Sequence, residues 1–168
     1  MKTKKVKQSR RVSNSKILVC IPFHGRRDEL LNTVLLKLLD QTYLKRNIHI
    51  FLVDNMSEDP VGKVADDFLK SFGSQYWGHD IVKSERNVVY MRNLGVAKAN
   101  SLKCEFIFFL DSDVFLKPTS ISNSVEIMQK DDKIFSVGQQ FLLPMKDEGF
   151  IFGTKRKYAN FSHLDKRE

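Results

Sequence analysis

A strict alternation of two hydrophobic patterns constrains this chain more than any other feature. Short apolar runs occur at 16–22 (KILVCIP), 47–53 (NIHIFLV), 80–83 (DIVK) and 105–110 (EFIFFL). Runs this short, rich in Ile, Val and Phe, predict strands, and runs apolar almost throughout predict strands covered on both faces. Between them, apolar residues recur at helical spacing: Leu31, Val34, Leu35, Leu38 and Leu39, then Val61, Val64, Ala65, Phe68, Leu69 and Phe72. Asp28 is a candidate N-cap for the first helix, Asp59-Pro60 opens the second, and Asn87 caps a third over about 88–101. A fourth helix opens at 118–120, with Ile121, Val125 and Met128 on one side. A fifth strand is expected over 134–143, bent at Gly138, and a short strand at 150–152. Strand–helix alternation means βαβ units, so the expected fold is α/β, a three-layer α/β/α sandwich around a mainly parallel, Rossmann-like sheet.

The 168 residues suit a basic, disordered arm at 1–15 followed by a single domain at 16–168. The net charge of +8 is concentrated in that arm, where Lys2, Lys4, Lys5, Lys7, Arg10 and Arg11 precede any acid. Two readings of the arm stand: a solvated tail, or an electrostatic tether to anionic lipid or nucleic acid. No aromatic residue is interleaved in it, which argues against base stacking on a single strand. No apolar run approaches the roughly 20 residues that span a bilayer. The N-terminus lacks an apolar signal core, so the expected location is cytoplasmic, with peripheral contact at the inner membrane face as the tether reading would have it. Cys20 and Cys104 have no Cys or His neighbour at metal spacing and are expected to be free thiols.

Parallel sheets bind ligands beyond the carboxyl ends of their strands. Three polar clusters fall there: Phe23 to Arg27 after the first strand, Asp54-Asn55 after the second, and Asp111-Ser112-Asp113 after the fourth. The two-residue strand period would set Asp111 and Asp113 on one side if the extended backbone continues. A pair of carboxylates at the end of an apolar strand is costly unless a cation meets it, and a hard divalent ion with a phosphate-bearing ligand suits it. The alternative is a strand-ending turn. The chain has no GxGxxG, no P-loop, no HExxH, no CxxC pair and no Ser nucleophile elbow. A bound phosphate would therefore be held by metal and basic side chains. A phosphatase that uses DxD after its first strand is excluded by the position of this pair after the fourth.

Taken in order, these segments resemble the nucleotide-sugar-binding half of a family-2, GT-A-fold glycosyltransferase. The matching residues are ILVCIP, the helix DELLNTVLLKLLDQT with Gln41-Thr42, LVDNMSED at 52–59, YMRNLGVAKA at 90–99 and FIFFLDSD at 106–113. The likeness covers about 16–118 and continues loosely to about 143. It implies a nucleoside-diphosphate-sugar donor, Mn²⁺ or Mg²⁺, and transfer with inversion to a glycan, lipid or protein acceptor. Asp113 would bind the metal, and Asp111 would share it or contact the ribose. Asp54 would accept a hydrogen bond from base or ribose. Arg92 would lie near the nucleotide, with Asn93 and Gly95 shaping the helix that presents it. Pro22, Phe23, His24 and Ser112 complete the expected donor contacts.

Each assignment has a plainer counterpart: a turn cap for Asp54, a surface ion pair for Arg92, a structural hydrogen bond for Asn93, a solvated loop position for His24. Phe23 stands where the family often has a small hydroxyl residue, which exchanges a hydrogen bond for a ring able to stack on a base. The tail acids Asp147, Glu148 and Asp165 fall in no family motif, so no catalytic base is assigned. Two other readings remain in play, a non-catalytic nucleotide-sugar-binding protein and a basic nucleic-acid or membrane-surface module. A bare sheet edge would favour self-association into a homo-oligomer.

Overall fold

The computed structural model describes residues 14–25, 28–57, 61–85, 87–131, 133–134, 136–138, 142–144 and 150–152. The basic arm and the tail acids Asp147, Glu148 and Asp165 lie outside the described residues. The chain divides into two compact units, 1–135 and 136–168. In the first, the elements run β1 (Ile17–Phe23), α1 (Asp28–Leu39), β2 (Ile48–Asp54), α2 (Val61–Phe72), β3 (Gly78–Lys83), α3 (Val88–Leu102), β4 (Phe106–Phe109) and α4 (Ser120–Met128). In the second, β5 (Leu142–Pro144) pairs antiparallel with β6 (Phe150–Phe152).

The four strands of the first unit form one parallel sheet in the order β3-β2-β1-β4. β1 and β2 are central, and every residue of both is buried. Their side chains alternate between two layers, as the pleat requires. Ile17, Val19, Ile21, Ile48, Ile50 and Leu52 pack with the apolar faces of α1, α2 and α4. Leu18, Cys20, Phe51 and Val53 pack with Met91 and Ala99 of α3. The result is α/β, with helices on both faces of the sheet.

Local signals place several boundaries. Asn87 caps α3, its Oδ1 accepting from the Tyr90 amide at 3.0 Å. α3 ends at Lys103, whose left-handed backbone (φ 55°) closes the helix in the manner usually given to glycine. α4 is held by a residue from the loop after α1. The buried Gln41, just past α1, accepts from the Ile121 amide at 3.2 Å and donates to the Lys117 carbonyl at 2.9 Å. Thr42 adds a backbone bond to the Pro118 carbonyl at 2.8 Å. These contacts anchor the far end of the segment that leaves β4. Gln41→Leu would leave the buried Ile121 amide unpaired, while the Lys117 carbonyl would keep its bond from the Ser120 amide. The expected loss is about 1–3 kcal/mol, read from the urea midpoint at unchanged slope.

Three expectations are corrected. The strand EFIFFL is not buried on both faces: β4 is at the edge of the described sheet, and Phe109 is 43% exposed. Its apolar run resembles that of a central strand because α3 and the α1–α4 layer still cover parts of it. The extension does not continue through the acids. Ser112 and Asp113 form a turn, closed by the Val114 amide on the Asp111 carbonyl at 3.2 Å, so the two-residue period does not govern them. The fifth strand is not continuous either. Residues 134 and 136–138 carry no strand, and the described part of the segment that does pair is Leu142–Pro144. Ser136 and Gly138 interrupt the apolar run there, and glycine weakens a strand.

Candidate functional site at the carboxyl edge of the sheet

The ends of β1 and β2 are in register, Phe23 opposite Asp54, and the Asn55 amide donates to the Phe23 carbonyl at 2.9 Å. β4 ends beside β1, with the Leu110 amide on the Cys20 carbonyl at 3.0 Å. Asp54, Asn55 and Asp111 therefore converge on one edge of the sheet from segments far apart in the chain.

Asp54 is 1% exposed. Its Oδ1 accepts from the Ser57 amide at 2.8 Å, and the Ser84 amide donates to its carbonyl. The side chain thus caps its own turn, while Oδ2 faces Gly62 at the start of α2, where an added Cβ would sit at 3.8 Å. The Ser57 hydroxyl beside it is buried with no hydrogen-bond partner among the described residues. His24 is exposed in the loop after β1, and its Nδ1 lies 2.8 Å from the Asn55 carbonyl, joining the two strand ends. Pro22 is buried, and the Phe23 ring is part of the core at 2% exposure, so it offers no free face for a base.

Arg92, in the first half of α3, reaches across to Asp111. Its Nη2 donates to Asp111 Oδ1 at 2.6 Å, and both side chains are roughly half exposed. Gly95, one turn further, makes this possible. A Cβ there would lie 2.6 Å from Cys20 Sγ and 3.0 Å from Cys20 Cβ, so only glycine lets α3 approach β1 this closely. Cys20 is correspondingly inert. Burial raises its thiol to about 12, with the Arg92 charge opposing weakly. Asn93 and Asp113 are exposed, and Ser112 is half-buried in the turn.

Asp111 and Asp113 supply hard oxygen donors on one exposed turn. No group of three or more His, Cys, Asp or Glu side chains gathers for a metal among the described residues. A two-carboxylate set suits Mg²⁺ or Mn²⁺, which commonly take one or two protein carboxylates and complete their shell with substrate phosphates and water. The donor chemistry fits such an ion in company with a phosphate ligand.

A second polar cluster lies across β2, β3 and α3. His49 Nε2 meets Asp80 Oδ2 at 2.7 Å, and Lys98 Nζ meets the same oxygen at 2.7 Å. Gly78 makes room for the ring, since a Cβ there would lie 2.6 Å from His49 Nδ1. Burial lowers the His49 pKa below 6.5, more than its bond to Asp80 raises it, with Lys98 and His79 adding repulsion. Burial pushes Asp80 up, but its bonds from Lys98 and His49 outweigh this and leave it below 3.8. Both folded values are depressed. The His49 contribution is therefore complete above pH 6.5 and lost as pH falls through its lower folded value. That of Asp80 is lost only below 3.8. Urea unfolding should show stability declining from pH 7 toward pH 5, and His49→Gln should flatten that decline. An unchanged slope in the variant would assign the decline elsewhere.

Sequence reasoning missed the Gln41 pin and the His24–Asn55 link, while the turn cap at Asp54 was one of its two readings of that residue. Gln41-Thr42 was visible as a motif, but its partners are 76 to 80 residues away.

Among known proteins, the chain is 28% identical over 136 residues to the glycosyltransferase GlyG of Streptococcus pneumoniae serotype 4, covering 81% of this chain and 42% of GlyG. Two solved structures share its fold. S. aureus TarS in complex with UDP superposes with a TM-score of 0.56 at 19% identity, over 68% of this chain and 32% of that one. Mannosyltransferase PcManGT from Pyrobaculum calidifontis, in complex with GDP-Man and Mn²⁺, does so at 0.61 and 16%, over the same shares. The matched part of the chain thus spans 42% of the length of GlyG and about a third of that of the other two. The family model for glycosyl transferase family 2 matches residues 18–163, nearly all of the chain and every strand and helix of the sheet that carries Asp54, Arg92 and Asp111. On that match, this chain belongs to glycosyl transferase family 2.

Proposed function

We propose that this chain binds a nucleoside-diphosphate sugar at the carboxyl edge of its sheet and serves the transfer of that sugar, with inversion, to a hydroxyl acceptor. The observation that carries the reading is the convergence of Asp54, Arg92 and Asp111 from three separate segments on that edge. Asp54, whose Oδ1 is held by the Ser57 amide, would accept from a base N–H or a ribose hydroxyl through Oδ2, which requires the buried carboxylate to open on its Gly62 side. Arg92 supplies a guanidinium whose planar fork matches phosphate oxygens. Asp111 and Asp113 would hold Mn²⁺ or Mg²⁺, as the donor set and the Mn²⁺ complex of PcManGT support. Bound there, the ion would neutralise the diphosphate and so favour departure of the nucleotide. The sheet edge holds the donor, and Gln41 and Gly95 keep the loop and helix that carry these groups in position.

Thermal unfolding with UDP, GDP or dTDP, each with and without Mn²⁺, tests this. At a ligand concentration of about 100 times Kd, binding contributes about 2.7 kcal/mol, or a rise of several degrees. One nucleotide should stabilise the protein, and more so with Mn²⁺. No shift with any of them would remove the reading. Binding without transfer or hydrolysis across donor sugars would leave a donor-binding protein in place of a transferase.

A further inference from the structure

Arg92 and Asp111 are nineteen residues apart and meet at 2.6 Å. The helix that carries Arg92 is set against β1 by Gly95, with no space for a Cβ between them. Only part of the guanidinium is used. Nη2 is on Asp111, while Nε is buried and has no hydrogen-bond partner among the described residues. A buried N–H without an acceptor is costly, and a guanidinium is a fork built for two acceptors side by side. Asp111 is also one of the two acids suited to a divalent ion. Guanidinium and metal on the same carboxylate repel each other unless an anion lies between them. A diphosphate is such an anion, and it offers the paired oxygens that the Arg92 fork lacks.

We propose that Arg92 is an exchangeable counter-ion, holding Asp111 in the donor-free protein and turning to the donor's diphosphate when a metal takes the carboxylate. Metal and nucleotide then bind cooperatively, and metal alone binds poorly. The inference rests on the donor-binding reading above and deepens it, by naming how the site avoids filling with metal alone.

The test is Mn²⁺ binding followed by the electron paramagnetic resonance of the free ion, with and without UDP or GDP, on the full chain. It needs no turnover. In the wild type, the nucleotide should tighten Mn²⁺ binding at least about tenfold, within the usual range of coupling between sites. Arg92→Gln should bind Mn²⁺ alone about 5–10-fold more tightly than the wild type, with coupling reduced to about twofold. Arg92→Lys keeps the charge but loses the fork. It should keep the weak Mn²⁺ binding and lose part of the coupling, and it carries the test if the glutamine variant fails to fold. Arg92→Gln with a native circular-dichroism spectrum and unchanged or weaker Mn²⁺ affinity would overturn the proposal. So would Arg92→Lys binding Mn²⁺ alone more tightly than the wild type. If the wild type binds neither nucleotide with Mn²⁺, the donor-binding reading falls too. If it binds one, and only the Arg92 variants behave unlike this, the exchange alone is wrong.

Discussion

Gly95→Val is expected to destabilise the protein by about 3 kcal/mol, at the upper end of what overpacking a close-packed interior costs. The first added atom already overlaps Cys20 Sγ at 2.6 Å and Cys20 Cβ at 3.0 Å. Cys20 cannot yield, because it is fully buried in a strand with neighbours on both sides. Gly95→Ala is the informative milder case. Alanine regains about 1 kcal/mol of helix propensity, against an overpacking cost of about 1–3 kcal/mol, so the net should still be a loss. Pairing it with Cys20→Ala removes the nearest overlapping atom. A double-mutant cycle from urea unfolding should therefore show the two changes partly cancelling. Strict additivity would mean that α3 does not rest on β1 at this point. The site should suffer as well, below any temperature at which the variant melts. Arg92 precedes Gly95 by one turn, so a helix lifted from the sheet carries the guanidinium away from Asp111.

Asp113→Ala should strongly weaken metal-dependent donor binding while leaving stability nearly unchanged, because the side chain is exposed in a turn. Losing one charged contact to a bound donor complex corresponds to about 2–3 kcal/mol, or roughly 30–150-fold in affinity. Asp111→Ala should behave alike. Its pairing with Arg92 joins two half-exposed side chains, and exposed ion pairs contribute about 0–1 kcal/mol. Asp54→Ala should differ from both. That carboxylate is buried and satisfies the Ser57 amide, so its removal should lower stability by about 1–3 kcal/mol as well as binding. Calorimetric titration with the nucleotide and Mn²⁺, beside urea unfolding, separates the two patterns. If Asp113→Ala keeps wild-type affinity in the presence of Mn²⁺, the metal does not sit on this turn.

Much of the fold was legible because it rests on periodicity. The apolar runs of β1, β2 and β4, the helical stripes of α1 and α2 and the Asn87 cap are local patterns, and each produced the element expected of it. The apolar run of β4 resembles that of a central strand because hydrophobicity records how much of a strand is covered, not which neighbours it has. Among the described residues, Phe106 to Phe109 have a paired strand on one side only. At the site, the acids were visible as residue types at strand ends. The turn cap at Asp54 was legible too, since the Ser57 amide that it accepts from is three residues on. The Asn55 carbonyl on His24 and the core around Phe23 were not, because they depend on where separate segments come to rest.

By itself, then, the sequence determined the layer architecture, the parallel character of the sheet, and the edge on which the strand-end acids would collect. These follow from short-range periodicity and from the βαβ rule, both written in neighbouring residues. Only the tertiary structure decided the order β3-β2-β1-β4, the turn that separates Asp111 from Asp113, and the meeting of Arg92 with Asp111. The last depends on a helix brought to backbone contact with β1 at Gly95. That contact is a steric fit between residues 75 positions apart, Cys20 and Gly95, and no local pattern encodes it.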